Sequence, residues 1–354
     1  KPPKLLPKCQ SEVCKILIFL PLLLLFSYLH TILFSLYMLD LSFLYKIFIR
    51  LLVIFLFNPL GICHECDIMC LNKLSRSRLG DYAMIRRKKM VVKKYSRRHE
   101  KIRKRLVYII IASLLLVGII YQNLGIYNNA DKLGRVGSLI EVNGVNMHLY
   151  TAGNGDLPIV FTSDIGQTMP YIDTYNLHSS LANETSVAVY DKPGYGWSDY
   201  TSAPRDIDTI VDEIHTLFEE SELSKPFIYV AHGMGSFEAI RYAQLYPDDV
   251  AGIVLIDGAS PSFGAEFNNI MIVESFMING ARNVGLLRLG QNTDYVSRLL
   301  CMNNELPEHL KLLSRGINLE KLWNRNIISE KLKVPENAQT ILDDGDLGDI
   351  PLRI

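Results

Sequence analysis

The chain has 354 residues, with 37 Lys+Arg against 37 Asp+Glu and a formal net charge of zero. Residues 1–122 hold 21 basic and 6 acidic side chains and residues 123–354 hold 16 and 31, so a +15 piece precedes a −15 piece. With a mean hydropathy of +0.14 and apolar residues crowded toward the N-terminus, a single soluble globular domain is excluded.

Ile16–Leu39 is an uncharged run of 24 residues, longer than the roughly 20 needed to span a bilayer. Asp40, Lys46 and Arg50 interrupt it before a second apolar stretch, 47–62. Two readings of residues 1–83 stand side by side. One is a hairpin of two spans, 16–39 and 47–62, that returns the chain to the cytoplasm. The other is translated sequence upstream of a start at Met84, where Met84-Ile-Arg-Arg-Lys-Lys forms a basic prelude to an anchor. Five of the six cysteines lie in the first 70 residues. Cys63-His64-Glu65-Cys66 and Cys70 lack the second spaced pair of a structural zinc site, so free thiols and no metal are expected. Cys301 stands alone in the acidic half, which excludes a disulfide within it.

The basic tail, 84–105, carries 12 Lys/Arg between Arg86 and Arg105 against one acid, Glu100. An uncharged run follows, and 106–122 reads as a transmembrane anchor. Basic flanks stay cytoplasmic, which places the acidic half on the other side. Gln122-Asn123-Leu124-Gly125 offers no small-x-small cleavage site, so the anchor is expected to be uncleaved. A basic run that leads into a span marks topology, so the bilayer is the expected partner and nucleic acid is not. A transporter reading rests on 1–83 alone and lacks paired ionisable groups within a span.

After a linker, 123–137, the pattern changes to short β-type runs alternating with helical periods. Ser138–Val142 and 146–151 flank Asn143-Gly144, a hairpin signal. Strands are expected at 158–163, 185–190, 226–231 and 250–257, and helices at 171–183, 206–220 and 236–245. A strand-poor helical segment, about 260–340, follows, and 350–354 begins one more strand. A hairpin followed by βα repeats is the pattern of an α/β sheet with helices on both faces.

Three stretches carry chemistry. Asp191-Lys-Pro-Gly-Tyr-Gly-Trp-Ser198 runs from a strand into an irregular turn. In Phe227-Ile-Tyr-Val-Ala-His232-Gly233-Met234-Gly235-Ser236 a strand turns sharply into a helix, with small residues at 231, 233 and 235. Tyr246-Pro-Asp-Asp-Val250 stops a helix and starts the next strand. In this order and spacing they resemble the α/β-hydrolase fold family, in its branch of esterases, prolyl aminopeptidases and related capped hydrolases, over 138–354.

The resemblance implies hydrolysis of an ester or amide of a small molecule by a Ser-His-Asp triad, with no cofactor. This chain departs from it at Gly233, where the family has its nucleophilic Ser. The resemblance makes His232 and Gly235 structural residues of the elbow. It assigns the oxyanion hole to the backbone amides of Met234 and Ile165. It also places the acid and the catalytic His beyond Ile354, leaving Asp257 as an alternative acid or, more simply, a strand-end Asp bonded to loop amides. Ser236 is expected to be a packing or capping hydroxyl, and His148, His178 and His215 surface or packing residues. Ser163-Asp164 replaces the family's His-Gly, and Asp164 is expected to point to solvent from its turn. In the 260–340 cap, Phe267, Met271, Phe276, Met277, Leu286 and Leu287 read equally as a pocket wall or as cap core. Two functions remain open: a disabled hydrolase, or a membrane-anchored binding protein on a hydrolase scaffold with a small apolar ester or amide ligand.

Overall fold

The computed structural model describes residues 82–130, 134–268, 272–301 and 305–354. The spans read at 16–39 and 47–62, with Cys63, Cys66 and Cys70, lie outside them. The chain divides into two compact units, Lys1–Leu106 and Val107–Ile354. One helix, α1 (Tyr82–Ala130), carries both the basic run and the apolar run. Its stretch Glu100–Asn129 is long and apolar enough to cross a membrane, by length and composition.

Seven strands form the sheet: β1 (Ser138–Val142), β2 (Val145–Ala152), β3 (Ile159–Thr162), β4 (Val187–Asp191), β5 (Phe227–His232), β6 (Val250–Ile256) and β7 (Leu352–Arg353), in the order β1-β2-β4-β3-β5-β6-β7. β2 pairs antiparallel with β1 and β4, and the strands from β4 to β7 run parallel. The hairpin turn is as the sequence predicts: Asn143 and Gly144 both take positive φ, 52° and 78°, as a tight two-residue turn between twisted strands requires.

Side-chain alternation explains why the sheet is covered on both sides. Val160, Ala188 and Tyr229 join one core with α4 (Ile207–Glu220), α5 (Ser236–Leu245) and α12 (Val334–Asp343). Their neighbours Phe161, Val189 and Val230 join a second core with α2 (Pro170–Asp173), α3 (Tyr175–Leu181) and α10 (Glu308–Lys321). The remaining cap helices are α6 (Pro261–Ala265), α7 (Ile272–Asn283), α8 (Leu286–Gly290), α9 (Asp294–Leu300) and α11 (Arg325–Leu332). The single helix expected at 171–183 is two. Thr174 leaves the helical backbone (φ −100°, ψ 6°), and its hydroxyl donates to the Pro170 carbonyl at 2.9 Å, a local bond that competes with helix continuation.

A buried ionic cluster ties cap to sheet. Lys192, in the loop after β4, lies 2.5 Å from both Glu238 of α5 and Glu330 of α11, all three nearly sealed from solvent. Tyr190 and Thr162 donate to Glu238, and Tyr195 donates to Glu330. Burial pushes the Glu238 carboxyl up against the pull of Lys192. Burial also opposes the Lys192 ammonium, but the two carboxylates outweigh it and hold its pKa above the usual range. Removing one member of such a cluster strands the others without compensation. Lys192→Met is expected to cost about 3–5 kcal/mol in urea unfolding, and a loss below about 1 kcal/mol would show that the cluster does not hold the cap.

Candidate active site

The site lies at the C-terminal ends of the parallel strands, where β5 turns into α5. His232 ends the strand in extended backbone, Gly233 takes φ +56°, and a single 3-10 turn, Gly233–Gly235, leads into the helix. Close approach explains the small residue at 235: a Cβ there would stand 2.8 Å from the Ser163 carbonyl oxygen. The turn is clamped from the loop after β6, where the Ala259 amide donates to the Gly233 carbonyl at 3.0 Å. Ser236, fully buried, donates its hydroxyl to the Ala259 carbonyl at 2.6 Å. It is the packing hydroxyl that the sequence implies, and it is not free to attack a substrate.

Above Gly233 sits the carboxylate of Asp164. Its Oδ1 accepts from the Met234 amide at 2.7 Å and from the Ile165 amide at 2.9 Å. The two backbone donors singled out from the sequence therefore converge on one oxygen, and that oxygen belongs to the chain itself. A Cβ on Gly233 would stand 2.5 Å from Asp164 Cγ and 2.6 Å from Oδ1. The expectation that Asp164 points to solvent is corrected. Unsatisfied amides at the start of a helix form a ready anion site, and a charge-assisted bond from each is stronger than a neutral one. With no side chain at 233, the nearest carboxylate fills the space. The two unusual residues, Gly233 and Asp164, were each readable alone; their contact across 69 positions was not.

Asp257 takes φ +49° just after β6 and is exposed. Among the described residues its carboxylate has no hydrogen-bond partner, so the expected bonds to loop amides are not formed. No histidine among them lies within ion-pair distance of it either. His309 is exposed near the start of α10. His148 and His178 are fully buried packing residues, and His215 is half-buried, stacked on Tyr246.

His148 merits a closer look, because a Ser and an Asp surround it. Its Nδ1 lies 2.8 Å from Asp191 Oδ2, and Ser198 Oγ accepts from its backbone amide at 2.7 Å. Its Nε2 faces the Val136 carbonyl at 2.5 Å rather than the hydroxyl. The trio therefore pins β2 to β4, where His148 and Asp191 are cross-strand partners, and cannot pass a proton from the serine. Asp191 also explains the glycine of its loop: a Cβ on Gly196 would stand 1.9 Å from Asp191 Oδ2.

Asp173 escaped the sequence reading. It ends α2 and opens onto two adjoining cavities, of about 180 and 280 Å³, that share Gln167 and Asp173 in their walls. His232 and Ser163 line the smaller, and Cys301, Ser314 and Asn318 of the cap line the larger. Asp173 is exposed where it faces the cavities, yet the protein crowded around its carboxyl, with the nearby charge of Asp191 and then Asp164, pushes its pKa up to about 8. The Gln167 amide lies 2.9 and 3.1 Å from its oxygens. A cavity-facing acid with a raised pKa is of the kind that marks functional sites. Nothing in the local sequence signals this, because the effect comes from three-dimensional enclosure.

Among the described residues one cluster could hold a metal by composition: His215, Glu219 and Asp249 bring ligand atoms within 4.8 Å of one another. The Lys225 ammonium bridges Glu219 and Asp249, 2.7 Å from the latter, so the protein's own cation already holds that place.

The seating of Asp164 has a thermodynamic consequence. Gly233→Ser alone is expected to destabilise the fold by about 2–4 kcal/mol, from the left-handed backbone and overpacking against Asp164. In an Asp164→Ala background the same change should cost about 1–3 kcal/mol less, a coupling typical of residues in contact. Additive costs in a double-mutant cycle would show that the two positions do not touch.

The model of the alpha/beta hydrolase fold family matches residues 170–315. The chain is similar to the uncharacterized protein YbdG of Bacillus subtilis, 26% identical over 241 residues, covering 66% of this chain and 74% of that one. Among solved structures it is similar to epoxide hydrolase CorEH (TM-score 0.48, 20% identity, 61% of this chain and 79% of that one). It is also similar to the enol-lactonase from Burkholderia xenovorans LB400 (TM-score 0.44, 15% identity, 61% and 79%). The antiparallel second strand in a sheet ordered β1-β2-β4-β3-β5-β6-β7, the sharp turn at Gly233 and the match over 170–315 identify the fold as that of the α/β hydrolases.

Proposed function

We propose that this chain is a membrane-anchored protein of the hydrolase lineage whose own site is closed to serine-type acyl transfer. The family chemistry is hydrolysis of esters or amides of small molecules, and the single observation that carries the closure is the position of Asp164. In acyl transfer the donors of the oxyanion hole are aimed, unspent, at the position where negative charge develops on the substrate oxygen. Here both donors are already spent on a carboxylate, and an approaching oxyanion meets a like charge rather than a dipole. The nucleophile position offers no atom to attack with, and Asp164 covers it.

The two adjoining cavities, the larger walled in part by the cap, support a second role for the same scaffold, the binding of a small ligand. Their walls mix apolar side chains such as Phe161, Leu177 and Leu299 with a few polar groups, Gln167 and Asp173 foremost. That is the usual composition of a small-molecule site. Anchoring rests on the uncharged run that follows 12 basic residues and on the one helix among the described residues able to span a bilayer. In this reading the basic tail is cytoplasmic and the acidic domain lies on the opposite side.

Ester hydrolysis tests the closure. The full chain is expected to hydrolyse p-nitrophenyl acetate at the uncatalysed rate and to resist labelling by a fluorophosphonate. Asp164→Ala, which empties the hole, should exceed the native chain, with a ceiling near the roughly 10³-fold that binding and an oxyanion hole give without a triad. Enzymic turnover by the native chain, lost on Asp164→Ala, would contradict the proposal.

A further inference from the structure

The cap presents apolar side chains where neither expectation placed them. Phe276 and Met277 had read as pocket wall or cap core, yet they are 51% and 70% exposed, and Val273 is 62% exposed. All three lie on α7, spaced i, i+3, i+4, so they form one stripe on one face. Gly280 continues it with open space where a Cβ would be. The opposite face holds the buried Ser275 and Arg282. A helix with this division has one side against protein and an apolar side that faces nothing among the described residues.

The stripe ends against α1. A Cβ on Gly118 would stand 2.3 Å from the Val284 carbonyl oxygen, at the turn after α7, so backbone meets backbone there. One turn on, Gln122 donates to the Leu319 carbonyl of α10 and accepts from Arg288 of α8 at 3.1 Å. At the next turn Gly125 faces the Arg288 side chain, which a Cβ would meet at 2.4 Å. Positions 118, 122 and 125 thus form a small and polar seam that fastens the cap to the helix. The rest of that helix around its apolar run, with Leu115, Leu116 and Ile119, is exposed.

This seam fixes the height of the C-terminal end of α7. Gly118 lies four residues before the end of the 106–122 span, about 6 Å along a helix that rises 1.5 Å per residue. If α1 crosses the bilayer there, Val284 stands at the boundary between headgroups and acyl chains. We propose that the open face of α7, Val273, Phe276 and Met277, lies in that boundary, so that the lipid surface is the cap's partner. The proposal rests on the anchor reading of α1 and goes beyond it. A single span sets topology only, whereas an interfacial α7 sets the orientation of the cap. Amphipathic helices of this kind bury their apolar face about 5–10 Å into the interface. The same packed helices carry the ligand cavity, since α10 gives Leu319 to the seam and Ser314 and Asn318 to the cavity wall.

Tryptophan quenching by brominated lipids tests the two claims separately. The full chain, carrying either Leu115→Trp or Met277→Trp, is reconstituted in phosphatidylcholine vesicles brominated at a shallow or a deep acyl position. Native Trp197 and Trp323 give the background. Leu115→Trp should lose emission most with the deep label, and Met277→Trp with the shallow one. Quenching of Leu115→Trp without Met277→Trp overturns the interfacial α7 and leaves the anchor standing. Quenching of neither overturns the anchor and the proposal with it.

Discussion

One carboxylate organises this site. Asp164 Oδ1 receives two backbone amides, from Met234 and Ile165, over a glycine with left-handed backbone. Each part depends on the others. The amides converge because β5 turns into α5 within three residues, and the turn is possible because Gly235 lets the backbone approach Ser163. The carboxylate fits because Gly233 has no side chain. Two backbone amides at a helix start that converge on one oxygen give charge-assisted bonds when that oxygen is a carboxylate, and here they fasten the loop after β3 to the turn at Gly233.

Much of the fold was legible because its signals are local. The Asn143-Gly144 turn, the apolar strand runs and the amphipathic period of Ile207–Glu220 each depend on residues a few positions apart. The strand boundaries fall within two residues of those expected for β1 to β6. The break at Thr174 was not legible, since it depends on one hydroxyl choosing the Pro170 carbonyl. At the site, the elbow and both amides could be read from the motif. The inward turn of Asp164 could not, because it answers an empty volume created by a residue on another strand. Asp173 was missed for a related reason: its raised pKa comes from enclosure by α2, the loop after β3 and nearby carboxylates, none of which leaves a pattern in sequence.

The cap shows the same division between local and distant information. Hydrophobicity at Phe276, Met277 and Leu286 was plain in the sequence, but which way they face was not, and the structure turns them outward. Inside, the cap is held by charge rather than by apolar contact alone: Lys192 lies between a carboxylate of the sheet layer and one of the cap. Outside, it is fastened to α1 through Gln122 and Arg288. The opposite net charges of the two halves of the sequence fit this arrangement. The basic residues gather before the apolar run, and the acidic ones belong to the domain beyond it.

The most direct measurement is of the two amide protons themselves. In the full chain, labelled with ¹⁵N and held in lipid nanodiscs, charge-assisted bonds to Asp164 should place the Met234 and Ile165 amide protons well downfield. Asp164→Asn should move both upfield together, while the amide of Ala259, bonded to the Gly233 carbonyl on the same turn, stays in place. If neither proton responds to Asp164→Asn, the carboxylate does not occupy the hole, and the account of a self-closed site is wrong.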